Sequence, residues 1–492
     1  MAINTEHLKE EREKEWRVAI RGQIKNKERT DLVRVHMNEA DPVERTKSYI
    51  EVNRGLTEEQ AVNESKRCLD CPNPTCITGC PVEINIPKFI KYIEKGDFLE
   101  SAKVLKETST LPAVCGRVCP QEKQCEAQCF YTLKLKKEPV AIGYLERFAA
   151  DYERDSGKMA VPEVAPPNGL KIACIGSGPA SLTFAGEMAK KGYDVSVFEA
   201  LHEIGGVLKY GIPEFRLPNK IVDVEIDVLK KMGVNFETNF VVGKTATIED
   251  LKDEGYQGFF VGSGAGLPRF MGIPGENYIG ILSSNEYLTR INLMDAANPL
   301  SDTPVISGKN VAVIGGGNTA MDSVRTAKRL GADRAMIIYR RSMDEMPARI
   351  EEIKHAQEEG IEFINLANPL EYYADEKGRV KQVKVQRMEL GEPDSSGRRR
   401  PVPIEGSEFI IDVDTVVVSV GVSPNPLIPD SLPDLKMTRW HTIDVNEDTL
   451  QSSIPFLFAG GDIVRGGATV ILAMGDGRKA AESMDKYIQN QK

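Results

Sequence analysis

Several features of membrane, secreted and nucleic-acid-binding chains are missing from this sequence. No apolar run among its 492 residues approaches the roughly 18 needed to span a membrane. The stretch up to Thr30 is dense in Glu, Lys and Arg and has no apolar core of a secretory signal, so a cytoplasmic location is expected. Positive charge is in deficit. Sixty-three Lys and Arg face 73 Asp and Glu, a net charge of -10, which argues against nucleic acid as the main partner. Low-complexity composition is absent too. With 41% hydrophobic and 28% charged residues, the chain reads as an ordinary globular protein of about three domains, not a disordered or collagenous one.

Cysteine is nearly absent from most of the chain and dense in one part. Of nine, eight lie between Cys68 and Cys129, and Cys174 stands alone in an apolar stretch. In a reducing compartment such a cluster reads as metal ligands before disulfides. The groups are Cys68-x2-Cys71-x4-Cys76-x3-Cys80-Pro81 and Cys115-x3-Cys119-Pro120-x4-Cys125-x3-Cys129. Short mixed spacings closed by Cys-Pro match loops that hold iron–sulfur clusters. Zinc is the rival, but it usually takes two C-x2-C pairs or added His, and no His lies among the eight. Two four-iron clusters would want eight ligands, and spacing does not say which thiol goes where. Cys174 reads as a small core residue.

The charged residues up to about 50 are expected to be helical, packed loosely or against a partner. Thr57 with Gln60 forms a capping box that opens a short helix leading to Cys68. The stretch Ile86 to Leu111 has helical apolar spacing. A proline-rich linker, Val161 to Asn168, follows. Then Lys171 to Ile175 reads as a buried strand running into Gly176-Ser177-Gly178-Pro179-Ala180-Ser181, a helix, and a second strand ending at Glu199. This βαβ pattern with an acid 23 residues after Gly176 suits the ribose of FAD or NAD, with the pyrophosphate at the helix N-terminus. Ser181 replaces the usual third glycine.

The pattern returns at Asn310 to Ile314, running into Gly315-Gly316-Gly317-Asn318-Thr319-Ala320. There the second strand ends in Arg340-Arg341, not in an acid. Arginine can pair bidentately with a 2′-phosphate, so this unit suits NADP(H); the bland reading of the pair is a solvated surface charge. Near the end, Gly460-Gly461-Asp462 follows a strand, and Gly466-Gly467-Ala468-Thr469-Val470 opens a helix. Asp462 could accept hydrogen bonds from flavin ribityl hydroxyls, and the helix N-terminus could stabilise a reduced flavin. On residues alone it reads equally as an ordinary strand-to-helix turn.

Taken together, the cysteine groups, GSGPAS with VFEA, the run Gly205 to Pro218 (GGVLKYGIPEFRLP), GGGNTAMD, YRR and AGGD resemble a family of two-cluster Fe–S/FAD/NADPH oxidoreductases. That family includes the small (beta) subunit of NADPH-dependent glutamate synthase, the N-terminal half of dihydropyrimidine dehydrogenase, and the large subunit of an electron-bifurcating NADH-dependent reduced ferredoxin:NADP oxidoreductase. The resemblance runs from about Asp41 to near the end. It implies an α/β chain: an N-terminal α-helical Fe–S domain (1–160), then two Rossmann-like, doubly wound domains. The FAD domain spans 161–293 and 424–492, and the NADPH domain, 294–423, is inserted in it. It implies FAD, NADPH and two [4Fe–4S] clusters. Cys68, Cys71, Cys76 and Cys129 would hold one cluster; Cys80, Cys119, Cys125 and Glu146 the other, with Cys115 nearby but not ligating. Gly206, Leu208 and Arg216 of the GGVLKYGIPEFRLP run would join the cofactor contacts.

The resemblance further implies hydride transfer from NADPH to FAD and single electrons through the clusters to a large subunit. That subunit would make L-glutamate from L-glutamine and 2-oxoglutarate. The chain opens Met1-Ala2-Ile3 and has no room for an FMN barrel, so the second half of that chemistry is expected in the partner. The bifurcating oxidoreductase, whose partner is a small flavoprotein, is the alternative. A disulfide reductase is set aside because His202 to Leu208, where its redox pair would sit, contains no cysteine.

Overall fold

The computed structural model describes residues 5–394 and 397–491, so the opening Met1-Ala2-Ile3 lies outside the described residues. Three short helices come first: α1 (Thr5–Arg12), α2 (Glu15–Gln23) and α3 (Asn26–Asp31). They do not pack loosely, as expected from their charge. Arg17, Ile20 and Arg29 are buried, and Trp16 stacks on Tyr92 with ring centroids 4.3 Å apart. Buried guanidinium groups anchor this segment, and hydrophobic periodicity does not register such anchors.

The cysteine-bearing part is helices and loops. Helix α4 (Glu58–Ser65) starts at the Thr57 capping box; α5 (Thr75–Thr78) is one turn. The apolar stretch after Ile86 is two helices. Asn85 caps α6 (Ile86–Lys95), which ends at Gly96 in left-handed conformation, and α7 (Phe98–Lys106) restarts behind it. Helices α8 (Pro112–Val118) and α9 (Ile142–Asp155) complete the unit.

Two parallel sheets follow. The first contains β1 (Lys171–Ile175), β2 (Asp194–Phe198), β3 (Asn235–Glu237) and β4 (Tyr256–Val261). β5 (Leu267–Pro268) leaves this unit, and β6 (Ile281–Ser283), β7 (Asn310–Ile314), β8 (Arg334–Tyr339) and β9 (Glu362–Asn365) belong to the second sheet. β10 (Ala367–Ala374), β11 (Val380–Pro393), β12 (Arg399–Pro403) and β13 (Phe409–Asp412) form an antiparallel addition that the sequence reading did not foresee. β14 (Thr415–Val418) returns to the second sheet, β15 (Val422–Ser423) pairs with β5, and β16 (Leu457–Ala459) closes the first sheet. The orders are β16-β4-β1-β2-β3 and β6-β14-β7-β8-β9. β1 and β7 are each buried from their second residue onward. Parallel strands covered on both faces need this near-continuous apolar run.

This topology corrects one boundary. β6 lies in the second sheet and the helix Ser284–Asn292 packs into that unit's core through Tyr287, Leu288 and Ile291, so the expected division at 293/294 falls too late. The β5–β15 ribbon marks where the chain crosses into the inserted unit and back. Among the described residues, no helix is long and apolar enough to cross a membrane.

The three units meet on a buried ion network. Arg45, from the N-terminal part, donates to Glu359 at 2.8 Å, and so does Arg325; Arg329 donates to the same carboxylate at 2.9 Å. From the first nucleotide unit, Phe215 lies under Arg329, 3.8 Å from its ring centroid. Burial works against ionising Glu359, but the Arg325 and Arg329 guanidinium groups outweigh it and hold the carboxyl well below its usual range. Burial likewise opposes Glu352, yet Arg216 and Arg325 bring it down to about 2. A depressed carboxylate contributes stability above its unfolded value of about 4.3, and that contribution is lost as pH falls through the folded value. Glu359→Gln leaves buried arginines uncompensated and is expected to cost about 3–5 kcal/mol. Thermal melts at pH 7 should show the loss. The gap between wild type and variant should shrink as pH drops from about 4 toward 2.

Candidate functional site

The eight clustered cysteines fall into two neighbourhoods. Burial raises the Cys76 thiol well above its ordinary value, and its next influences are the thiols of Cys68, Cys129 and Cys71. Burial pushes Cys68 up to about 12, with Lys91, Asp70 and Cys71 as its charged neighbours. The second neighbourhood gathers Cys80, Cys119, Cys125 and Glu146, with Cys115 beside them. Cys80 is raised by burial to about 12 and feels Glu146 and Cys119; Cys125, raised by burial, feels Glu126, Cys80, Glu146 and Cys119. Cys115 is raised first by its hydrogen bond with Cys119 and then by burial. Its sulfur also lies 3.4 Å from the Met474 sulfur.

The spacing of the sulfurs matters for the metal. A zinc tetrahedron with Zn–S near 2.3 Å holds its sulfurs about 3.8 Å apart. Among the described residues no three cysteine sulfurs lie within 4.8 Å of one another. The described thiols are therefore not drawn together for a single zinc ion, and a larger multi-metal body is the candidate to test. Glu146 tests the fit of such a body. It is 6% exposed, its Oε1 has no hydrogen-bond partner among the described residues, and burial, then Glu225, raises its pKa to about 8. An unpartnered buried carboxyl is costly, and a cationic metal group would relieve it. The residues fit iron–sulfur clusters.

The second neighbourhood abuts the C-terminal helix, Val470–Gln489. The Pro81 carbonyl approaches so closely that a Cβ on Gly475 would meet it at 2.9 Å, and Arg478 donates to the Val82 carbonyl at 2.5 Å. Thr469 caps that helix, accepting from Leu472 at 3.4 Å, and the Ala468 amide donates to Asp462 at 3.1 Å. Val470 is its first residue.

At the end of β1, Gly176 has φ +89°, and a Cβ there would meet the Gly262 carbonyl at 2.8 Å. Gly178 caps the helix α10 (Pro179–Lys190), with Pro179 in its first turn and Ala180 and Ser181 buried within it. Gly206, at φ +55°, brings its backbone onto this turn; a Cβ would stand 3.0 Å from Gly178 Cα. Leu208 is wholly buried beside it. Glu199 accepts from the Ser177 amide at 2.9 Å, from the Ser177 hydroxyl at 2.6 Å and from the Leu201 amide at 2.8 Å. Tyr210 was not foreseen. Burial raises its hydroxyl to about 12, and its charged neighbours are Asp462 and Glu199. Two strand ends far apart in sequence thus border one space. Burial also lifts Asp462 to about 6. Arg216 pairs through Nη1 with Asp322 of the second unit at 2.7 Å, so it also ties the two units together.

At the end of β7, Gly315 has φ +139° and Gly316 lies against the Tyr339 ring. Gly317 caps the helix Asn318–Arg329, and no atom would crowd a Cβ on it within 4 Å, so this turn is open to a ligand. Asn318 accepts the Arg349 amide at 2.9 Å, Thr319 is exposed and Ala320 is buried. The arginine pair divides. Arg341 is 5% exposed and donates to the Arg399 carbonyl at 2.8 Å and to Asp394 at 2.7 Å. It holds the β11–β12 hairpin, which corrects its expected phosphate role. Arg340 is exposed and has no ion pair among the described residues.

Residues 45–158 match the family model described as dihydropyrimidine dehydrogenase domain II, 4Fe-4S cluster; residues 170–477 match pyridine nucleotide-disulphide oxidoreductase. The chain is 37% identical over 450 residues to the glutamate synthase [NADPH] small chain of Azospirillum brasilense, covering 90% of this chain and 92% of that one. The small chain from Escherichia coli is 36% identical, with 90% and 94% covered.

This chain belongs to the glutamate synthase small-chain family.

It is accordingly an NADPH-dependent oxidoreductase, with a 4Fe-4S domain and an FAD/NADPH-type nucleotide pair. Among solved structures, FprA of Mycobacterium tuberculosis in complex with NADPH superimposes with a TM-score of 0.55 at 20% identity, over 66% of this chain and 85% of that one; the likeness is one of fold. The matched name includes disulphide chemistry, but after residue 129 Cys174 is the sole cysteine, so no dithiol can form there.

The two arginines give separable expectations. Arg340→Ala should weaken NADPH binding about 10- to 100-fold, the worth of a charge-assisted contact, and leave NADH binding unchanged. Arg341→Ala should lower thermal stability without changing the NADPH-to-NADH ratio. Flavin-reduction kinetics with both nucleotides, together with melting curves, check the pair.

Proposed function

We propose that this chain is the NADPH-oxidising electron-input subunit of a glutamate synthase, passing electrons to a large subunit that makes L-glutamate from L-glutamine and 2-oxoglutarate. When bound, FAD takes hydride from NADPH and the clusters carry single electrons onward. The protein's own contribution is placement and charge. Arg340 holds the NADPH 2′-phosphate at the β8 end, and the Gly315 to Ala320 turn takes the pyrophosphate at a helix N-terminus. Glu199 fixes the Ser177 turn with two hydrogen bonds, takes a third from the Leu201 amide, and keeps one acceptor site for a ribose hydroxyl. Asp462 and the N-terminal end of helix Val470–Gln489 serve the flavin from the other chain end.

Two [4Fe–4S] clusters complete the reading. Cys80, Cys119, Cys125 and Glu146 hold the one nearer the flavin, and Cys68, Cys71, Cys76 and Cys129 the other. One observation carries this order: the second neighbourhood touches the helix that borders Asp462, through Met474 and through Gly475 against Pro81. The first neighbourhood contains the two cysteine residues that are partly exposed, Cys71 and Cys76, so electrons leave there.

The partner is where relatives differ. The NADP(+)-dependent formate dehydrogenase subunit beta of Moorella thermoacetica is 39% identical, yet this chain spans only 60% of it. The near full-length match to glutamate synthase small chains supports the glutamate synthase partner.

Protein purified without oxygen should carry roughly eight irons and one flavin per chain. Glu146→Ala should change the signal of one cluster, whereas Cys115→Ala should leave the iron count intact. Iron analysis and low-temperature electron paramagnetic resonance decide. An unaltered Glu146→Ala spectrum would return Cys115 to the ligand set. Addition of a purified glutamate synthase large subunit should yield NADPH-dependent glutamate formation, and its failure with a fully loaded protein would overturn the partner assignment.

A further inference from the structure

The N-terminal helices lie outside the segment 45–158 matched as the cluster domain, yet they converge on one residue inside it. Asp70 stands between Cys68 and Cys71, with left-handed backbone (φ 50°) and no solvent exposure. Asp tolerates this conformation better than most residues. Arg17 Nε donates to both of its carboxylate oxygens at 3.1 Å. Arg21 Nη1 donates to Oδ2 at 3.0 Å, and Arg12 Nε donates to the Asp70 backbone carbonyl at 2.8 Å. Three arginines from α1 and α2 thus grip a two-residue bridge between two thiols. A second set backs the loop: Lys91 donates to the Cys68 carbonyl at 2.7 Å and pairs with Glu94, which also meets Arg29 at 2.8 Å.

Two charges of opposite sign are therefore held, buried, beside the same loop. The side chains of Asp70 and Arg17 are 0% and 3% exposed, so solvent screens neither well. Cluster potentials respond to local charge and exposure, and the first neighbourhood is the more exposed of the two. We propose that Asp70 and the Arg17–Arg21 pair are positioning residues that fix the Cys68–Cys71 loop and set the reduction potential of the cluster at the electron exit. The proposal rests on assigning Cys68, Cys71, Cys76 and Cys129 to that cluster. It makes the N-terminal arm part of the redox machinery, not a solubilising tail.

The two signs make the idea testable. Asp70→Asn keeps size and backbone tolerance but removes a negative charge, so the reduced cluster gains stability and the potential rises. Arg17→Met removes a positive charge, so the potential falls. A merely structural role would move both variants the same way or not at all. The experiment is a dithionite titration of the full-length, anaerobically purified protein, followed by electron paramagnetic resonance, with iron counted in each sample. The expected result is an upward shift for Asp70→Asn and a downward shift for Arg17→Met in one cluster, the other unmoved and the iron content equal. Shifts in the same direction, or no shift, would overturn the clamp. If Asp70→Asn loses iron, Arg21→Gln decides in its place, because Arg21 is 17% exposed and easier to replace. A downward shift there supports the clamp and an unmoved potential overturns it. Wild-type protein without iron would overturn the parent reading and the clamp together, whereas loaded protein with unmoved potentials would overturn the clamp alone.

Discussion

A buried thiol keeps its proton, and a buried carboxyl without a partner does the same. Both tendencies meet in the cysteine-bearing unit. Seven of its eight clustered thiols are raised above their ordinary value, and Glu146 beside them is lifted to about 8. Metal ligation demands the deprotonated forms, so filling these neighbourhoods must release protons and replace them with metal charge. The interior is stable only if something cationic takes the protons' place. The buried arginines and lysines of the surrounding helices do not fill that place, because they are already paired with acids.

The parts of this architecture legible in the sequence are the local ones. The glycine turns after β1 and β7 could be read because a strand, a tight turn and a helix follow one another within a dozen residues. The Thr57 capping box is local in the same way. Side chains whose partners lie far off in sequence could not be read. Arg341 stands at the position expected for a phosphate contact, but a hairpin more than fifty residues later claims its guanidinium. Arg216 lies in a motif of the flavin unit and also pairs with Asp322. Nothing in periodicity or composition distinguishes an arginine waiting for a ligand from one already paired across a domain boundary.

The same reasoning explains the misplaced boundary. β6 is only three residues long and follows a loop, so the composition does not shift where the chain changes sheets. The crossing is visible only as the β5–β15 ribbon, a tertiary feature. A two-stranded ribbon is a weak connection by itself. The Arg45, Arg325, Arg329 and Glu359 cluster, with Arg216 on Asp322, supplies the stronger tie between units, and it reaches back to the N-terminal part. Relative motion of the two nucleotide units is then opposed by buried charge, which tolerates displacement poorly because a separated partner is left bare in a dry environment.

The two cysteine neighbourhoods differ in what surrounds them, and the difference follows the direction of electron flow proposed here. The inner one is wholly buried against the C-terminal helix and carries a carboxylate among its groups. The outer one includes two partly exposed cysteine residues and is overlaid by helices that lie outside the recognised cluster domain. A module reused with different partners needs its inner end constant, because the flavin it faces does not change. Its outer end must be adjusted to each acceptor. Charged side chains brought in by the N-terminal helices can make that adjustment without disturbing a single ligand, since a charge acts through distance and a ligand does not. On this view the arm belongs to the same functional layer as the partner surface, and its arginines should vary with the acceptor while the cysteines beneath them stay fixed.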